Sequence, residues 1–211
     1  GFGGGGGWAS WGYCVDAAGG SFYNEDRTAC ALDSDASIAG LTFYQDLYAS
    51  GSGVPFGEDA EPPFKAGTLG MFINGRWATP GAREITSFNW DVAPLPTGAA
   101  PGKDWLFWGA YVVNANTANP DAAWKLVEAL TSTEVQDKVA SLGANIPSRT
   151  SQEAIDAFLT YTPPANNQAF VDGIQNDPVA EGPLWTGSWP AFDKASGDEV
   201  TALMTGKITI D

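Results

Sequence analysis

Asn74, Arg76 and Trp77 follow directly on a short apolar run, Leu69 to Ile73. Together they offer an amide, a fork of guanidinium donors and a flat indole, a set suited to a neutral polar ligand with both hydroxyls and an apolar face. Gly67 and Asn74-Gly75 bound the run, so it reads as a buried strand stopping at a turn. In an open α/β sheet ligands bind in the crevice beyond the carboxyl ends of the strands, which is where these side chains would stand. Trp77 is then a cleft residue or a core tryptophan beside a turn. Its place directly after Asn-Gly-Arg favours the cleft, since such a position is rarely fully buried.

Nine Trp, six Tyr and eleven Phe in 211 residues exceed what cores alone need, so some of these rings are expected to be exposed. Aromatic faces attract the slightly positive C–H face of a sugar ring, and the indole edge donates one hydrogen bond. Carbohydrate is the ligand class favoured by this chemistry, although cages for quaternary ammonium groups use the same faces. A formal charge of −15 opposes nucleic acid and anionic membranes. The chain has no histidine, which removes the usual zinc ligand, neutral-pH base and triad base. Glu84 and Asp91 lie close to the cleft segment and could serve as the paired carboxylates of a glycoside-active enzyme, but their spacing fixes no separation. The run Gly3 to Gly7 lacks the Lys-Ser or Lys-Thr of a phosphate loop, and Glu58, Asp59 and Glu61 lack the order of a calcium loop. No metal or cofactor is implied.

Cys14 and Cys30 flank a turn-rich stretch and could be carried on two strands of a hairpin. A disulfide closing that loop would contribute about 3 kcal/mol and would place the protein outside the cytoplasm; two free buried thiols are the alternative. No apolar run reaches the length of a membrane span.

The elements that must position the candidate residues read as alternating strand and helix. Ser34 caps a helix to Ser50 with the stripe Ile38, Leu41, Leu47 and Tyr48, closed by Gly51. Tyr111 to Val113 reads as a strand, and Asn119-Pro120 opens a helix striped by Ala123, Val127 and Leu130. Thr133 with Gln136 makes a capping box for a further helix. Thr150 to Glu153 caps a helix through Leu159 that Pro163-Pro164 breaks, and another covers Asn167 to Gln175. Val200, Leu203 and Met204 mark a last stripe ended by Gly206.

Gly53-Val54-Pro55, then Phe64, Gly67, Met71, Gly75 and Trp77, then Val92 to Pro96, then Ser141 to Arg149 stand in the order of motifs found in one family. Through them the chain resembles the sugar-binding receptors of bacterial ABC importers, the extracellular solute-binding proteins of the maltose-binding type. The resemblance implies an α/β, type II periplasmic-binding-protein fold, mainly the C-terminal lobe plus a segment of the N-terminal lobe. Residues 1–108 would be the first part of the C-terminal lobe with the cleft, 109–148 the hinge crossing and an N-terminal-lobe-like strand-helix segment, and 149–211 the closing helices. It adds Trp8, Trp11, Trp108, Gly109, Trp185 and Trp189 to the ligand-binding candidates, Gly109 by letting backbone and ligand approach. It implies a non-catalytic receptor, in the periplasm or lipid-anchored at the cell surface, that closes on a mono- or oligosaccharide and delivers it to the membrane subunits of an ABC transporter. About half of such a receptor would lie upstream of this chain. The strand at Tyr111 is then expected to find its sheet partners on a second polypeptide, or to be covered in some other way. A non-binding structural fragment remains an alternative.

Overall fold

The computed structural model describes residues 1–143, 145–149, 151–175 and 187–210 with their side chains, and the backbone of 179–180. The chain forms two units, Gly1–Asn74 with Leu95–Leu106 and Asn176–Asp211, and Gly75–Pro94 with Phe107–Gln175. The division groups residues 75–94 and 149–175 with the segment that follows residue 106, where the sequence suggested boundaries after 108 and 148.

In the first unit the glycine run leads from strand β1 (Phe2–Gly3) into helix α1 (Trp8–Ala17). β1 pairs in parallel with β2 (Met71–Phe72), Phe2 opposite Met71. The buried strand expected over Leu69 to Ile73 is thus reduced to two residues, neither of them buried: Leu69 is buried just before it and Met71 is exposed. Helix α2 (Asp35–Ala49) starts at Ser34, whose side chain accepts from the Ser37 N–H, and Gly51 follows it at a φ of 66°. Leu41 and Tyr44 of α2 pack with Trp11, Cys14 and Val15 of α1. The helices approach so closely at Gly40 that a Cβ there would overlap the Cys14 carbonyl and the Val15 Cα. The Tyr44 and Tyr48 hydroxyls donate to the Gly5 and Gly4 carbonyls at 2.7 and 3.0 Å, so α2 fastens the glycine run. Past the small helix α3 (Glu61–Lys65), and away from it in sequence, β3 (Trp105–Leu106) pairs in parallel with β4 (Val179–Ala180).

The last helix of this unit, Trp189–Met204, closes the same core with Val200 and Leu203. It ends in a Schellman motif: Gly206, at a φ of 70°, donates to the Leu203 carbonyl and Lys207 to that of Ala202. Each large side chain sealed in such a core contributes about 1.5–3 kcal/mol.

The cysteine pairing is corrected. The hairpin spans only Phe22 to Ala31, with Tyr23 opposite Cys30, while Cys14 lies inside α1. Cys14 faces the core from α1, Cys30 is exposed in the hairpin, and both thiols are free. Burial pushes the Cys14 thiol up to about 12.

The second unit is helical: a 3-10 turn Arg76–Ala78, α4 (Thr79–Ala82), α5 (Pro120–Leu130), α6 (Thr133–Ser141), α7 (Gln152–Leu159) and α8 (Gln168–Gln175). Its core is Ala140, Phe158 and Val171, flanked by Ile146, Ile155, Leu159 and Phe170. Ser132, one residue before the expected cap, accepts from the Val135 N–H, and Ser151 does the same for Ala154. Gln136 is buried and stitches loops: it donates to the Leu130 carbonyl at 2.8 Å and accepts from the Ser148 hydroxyl at 2.6 Å. The strand expected at Tyr111 to Val113 pairs with nothing among the described residues, and Val112 is 86% exposed. A run that is apolar on both faces needs neighbours on both sides to form a ladder, and this unit is built of helices. Helix α5 likewise buries no residue, leaving Trp124 and Leu126 exposed.

Candidate functional site

In the second unit Gly75, extended, leads into the 3-10 turn, and the two residues after it differ sharply in burial. Arg76 is 6% exposed and Trp77 is 54% exposed. The Arg76 guanidinium lies over Phe158 and Phe170, 4.8 and 5.1 Å from their ring centroids. None of its three nitrogens has a hydrogen-bond partner among the described residues. Burial, and then the charge of Arg83, push its pKa down to about 10. Arg83 is the better satisfied cation: it donates to the carbonyls of Pro163, Gly143 and Tyr161 at 2.6, 2.9 and 3.2 Å and lies 4.0 Å over the Tyr161 ring. Arg76, assigned from sequence to ligand hydroxyls, is therefore engaged with two phenyl rings of the unit's core.

Trp77 is the opposite case. Its indole meets the Phe107 ring edge to face, centroids 5.3 Å apart at 79°. The six-membered part of the indole lies against the bare backbone of Gly75, where a side chain would fall within the ring. More than half the residue stays open to solvent, so it is not the core tryptophan that the sequence left as the alternative. Trp108 and Gly109 are also exposed, and the space beside the Gly109 Cα is open. This unit thus presents two exposed indoles, of which Trp77 rests against backbone and a phenyl ring.

In the first unit the aromatic residues form a cluster instead of separate platforms. Trp8 stands edge to face with Trp105 at 5.0 Å, with Trp189 at 5.3 Å and with Phe22 at 6.2 Å. Trp189 and Phe192 lie 5.3 Å apart and tilted by 33°. Trp8 and Trp189 keep part of their surface in water, whereas Trp11 is 0% exposed, packed against Phe22 at 5.0 Å, with no face left for a ligand. Asn74, the last residue of the first segment of this unit, is exposed. Trp185 lies outside the described residues.

Two residues not among the sequence candidates belong to this picture. Trp105 anchors the first cluster, its indole N–H donating to the Ala9 carbonyl at 3.0 Å. Gly75 carries the Trp77 ring. The first was signalled by the dense aromatic run around residue 105. The second needed the fold, because a glycine after asparagine reads as turn chemistry alone. Asp91, considered above as a catalytic carboxylate, accepts from the Val92 and Asn166 N–H groups, both at 2.9 Å, and so ties two distant stretches of the unit together. Among the described residues no group of three or more His, Cys, Asp or Glu could hold a metal ion.

A family profile described as bacterial extracellular solute-binding protein matches residues 4–163. A maltotriose-binding protein of Pyrococcus abyssi is 27% identical over 174 residues, 80% of this chain and 35% of that protein. A maltooligosaccharide ABC transporter solute-binding lipoprotein of Streptococcus pneumoniae is 28% identical over 148 residues, 64% of this chain and 34% of its own. Among solved structures, an ABC substrate-binding protein from Listeria monocytogenes in complex with cycloalternan superposes with a TM-score of 0.81 at 19% identity, over 100% of this chain and 54% of that one. The fold is thus that of periplasmic binding proteins. The chain spans about a third of the length of these curated relatives and about half of that solved structure.

Proposed function

Because the chain belongs to the bacterial extracellular solute-binding protein family, a family that binds solutes without transforming them, we propose that it binds carbohydrate. The observation that carries the reading is the open indole of Trp77, 54% exposed and steadied by Gly75 and Phe107. A ring steadied on backbone and phenyl yet more than half in water can take the C–H face of a pyranose at little entropic cost. Trp108 supplies a second such face in the same unit, with Gly109 leaving room for a ligand beside the backbone. Taken by itself, the first unit offers the exposed parts of Trp8 and Trp189 as aromatic faces and Asn74 as a hydrogen-bonding amide. The relatives named for maltotriose and maltooligosaccharide support an α-glucan as the ligand class.

The ligand would be handed to the membrane subunits of an ABC importer, in keeping with the name of the pneumococcal relative. Such a protein would work outside the cytoplasm, in the periplasm or lipid-anchored at the cell surface, the latter in keeping with the name of that relative. The first unit is read as belonging to the C-terminal lobe of a receptor and the helices α5 and α6 as a portion of the N-terminal lobe, with the remaining sheet supplied by polypeptide outside these 211 residues. The exposure of Val112 supports that reading, since an apolar residue so open to water can be covered by further polypeptide.

Titrating the chain with maltotriose while following tryptophan emission tests the proposal. A saturable change in emission is expected. A flat titration with maltotriose, maltose and glucose alike contradicts it.

A further inference from the structure

We propose that Gly75 is a positioning residue for Trp77: its missing side chain is the seat that holds the indole with one face turned to the ligand, and Arg76 is the anchor of that seat. The proposal rests on the carbohydrate reading of Trp77 above. Gly75 has a φ of −84° and a ψ of 170°, an extended conformation open to every L-residue. Conformational freedom therefore does not account for glycine at this place. Space does. A Cβ built on residue 75 would fall among the ζ3, η2 and ε3 carbons of the Trp77 ring. The clash is with a rigid ring whose other contact, Phe107, holds it edge to face at 5.3 Å. A side chain on residue 75 can be accommodated only if the indole swings off the backbone.

Arg76 fixes the turn from the other side. Its guanidinium stacks between Phe158 and Phe170, inside the hydrophobic core of the unit, and it makes no hydrogen bond there among the described residues. Stacking of a planar cation on aromatic faces is directional, so it sets how the 3-10 turn Arg76–Ala78 is rotated. With residue 76 pinned inward, residue 77 must point outward. The indole then rests against bare backbone with more than half of the residue in water, so little ordering would remain to be done on binding.

The test uses Gly75→Ala, Trp77→Ala and the double variant of the 211-residue chain. Labelling with 5-fluorotryptophan gives each indole a fluorine resonance, and that of Trp77 is the one missing from Trp77→Ala. In Gly75→Ala this resonance is expected to move in the unliganded chain, and maltotriose affinity to fall about tenfold, the scale of one lost aromatic contact. A resonance that stays in place overturns the proposal. So does a resonance that moves while affinity stays at the parental level, given that Trp77→Ala weakens binding. If Trp77→Ala binds maltotriose as the parent does, the carbohydrate reading fails, and the fluorine shift still decides whether Gly75 seats the ring. Should Gly75→Ala not fold, recovery of folding in the double variant supports a clash with the indole, and failure of the double variant overturns it.

Discussion

Trp77 and Phe107 meet edge to face, 5.3 Å between centroids at an interplanar angle of 79°. The geometry puts the positive edge of one ring toward the negative face of the other, an arrangement worth about 0.5–1.5 kcal/mol beyond the area it buries. It also keeps the indole from lying flat on Phe107, which would close the face offered to a ligand. Phe107→Leu is expected to leave the fold intact and to loosen Trp77. Its fluorine or emission signal should broaden or shift, with maltotriose affinity down by about threefold, roughly half of what one stacking contact provides. An unchanged Trp77 signal and affinity would show that Phe107 only fills space.

Arg76 carries a charge into a phenyl-lined core with no acceptor among the described residues. A buried cation without a partner costs more than an apolar side chain of the same length. Arg76→Met is therefore expected to raise the unfolding free energy by about 1 kcal/mol in urea titrations, while Arg76→Ala, which leaves a cavity beside Phe158, lowers it by about 2 kcal/mol. A fall in stability for Arg76→Met as large as that for Arg76→Ala would mean that the guanidinium is better satisfied than this environment indicates.

Gly40 lies where α2 crosses the backbone of α1, and a methyl there would overlap the Cys14 carbonyl and the Val15 Cα. Helix propensity alone would make Gly40→Ala stabilising by about 1 kcal/mol. Steric overlap with backbone outweighs it, so a net loss of about 2 kcal/mol is expected. Thermal melts of the single variant decide between the two effects, and a rise in melting temperature would place the helices further apart.

The two thiols should be distinguishable without any denaturant. Cys30 is exposed and Cys14 buried, so an aromatic disulfide reagent at neutral pH should titrate one thiol quickly and the second only on unfolding. Burial raises the Cys14 pKa from 9.0 to about 12, so the native state holds a proton that the unfolded chain gives up. Stability should therefore be intact below about pH 9 and should fall by at most about 1.4 kcal/mol per pH unit as the pH rises towards 12. Cys14→Ala should lose less over the same range. Finding no free thiol in the native chain would restore the disulfide.

How far the sequence could be read follows from the range of the interactions involved. Caps and helix ends are local. Ser34, Gly51 and Gly206 could be assigned from neighbours within a turn or two, and they stand as expected. The family was also legible, because its motifs depend on order along the chain. Helix α1 was not legible as such: Trp8 to Ala17 follows a glycine run and shows no clean apolar stripe, and its helicity comes from packing against α2. That misreading produced the disulfide, since a strand at Cys14 would have faced Cys30. At the candidate site the exposure of Trp77 could be inferred from its turn, while the inward course of Arg76 could not. Arginine after Asn-Gly belongs in water by every local criterion, and only the tertiary juxtaposition of Phe158 and Phe170 draws it in. For the same reason Trp8 and Trp11, three positions apart in one helix, have different fates, one partly open and the other sealed.

Calorimetric titration of the parent chain and of Trp77→Ala with maltotriose, at equal protein concentration, tests the stacking role of Trp77 most directly. The parent should give a saturable heat, and removing the indole should weaken binding by at least about tenfold while the urea midpoint moves little, because the ring is more than half in water. Equal affinities in the two proteins would contradict it.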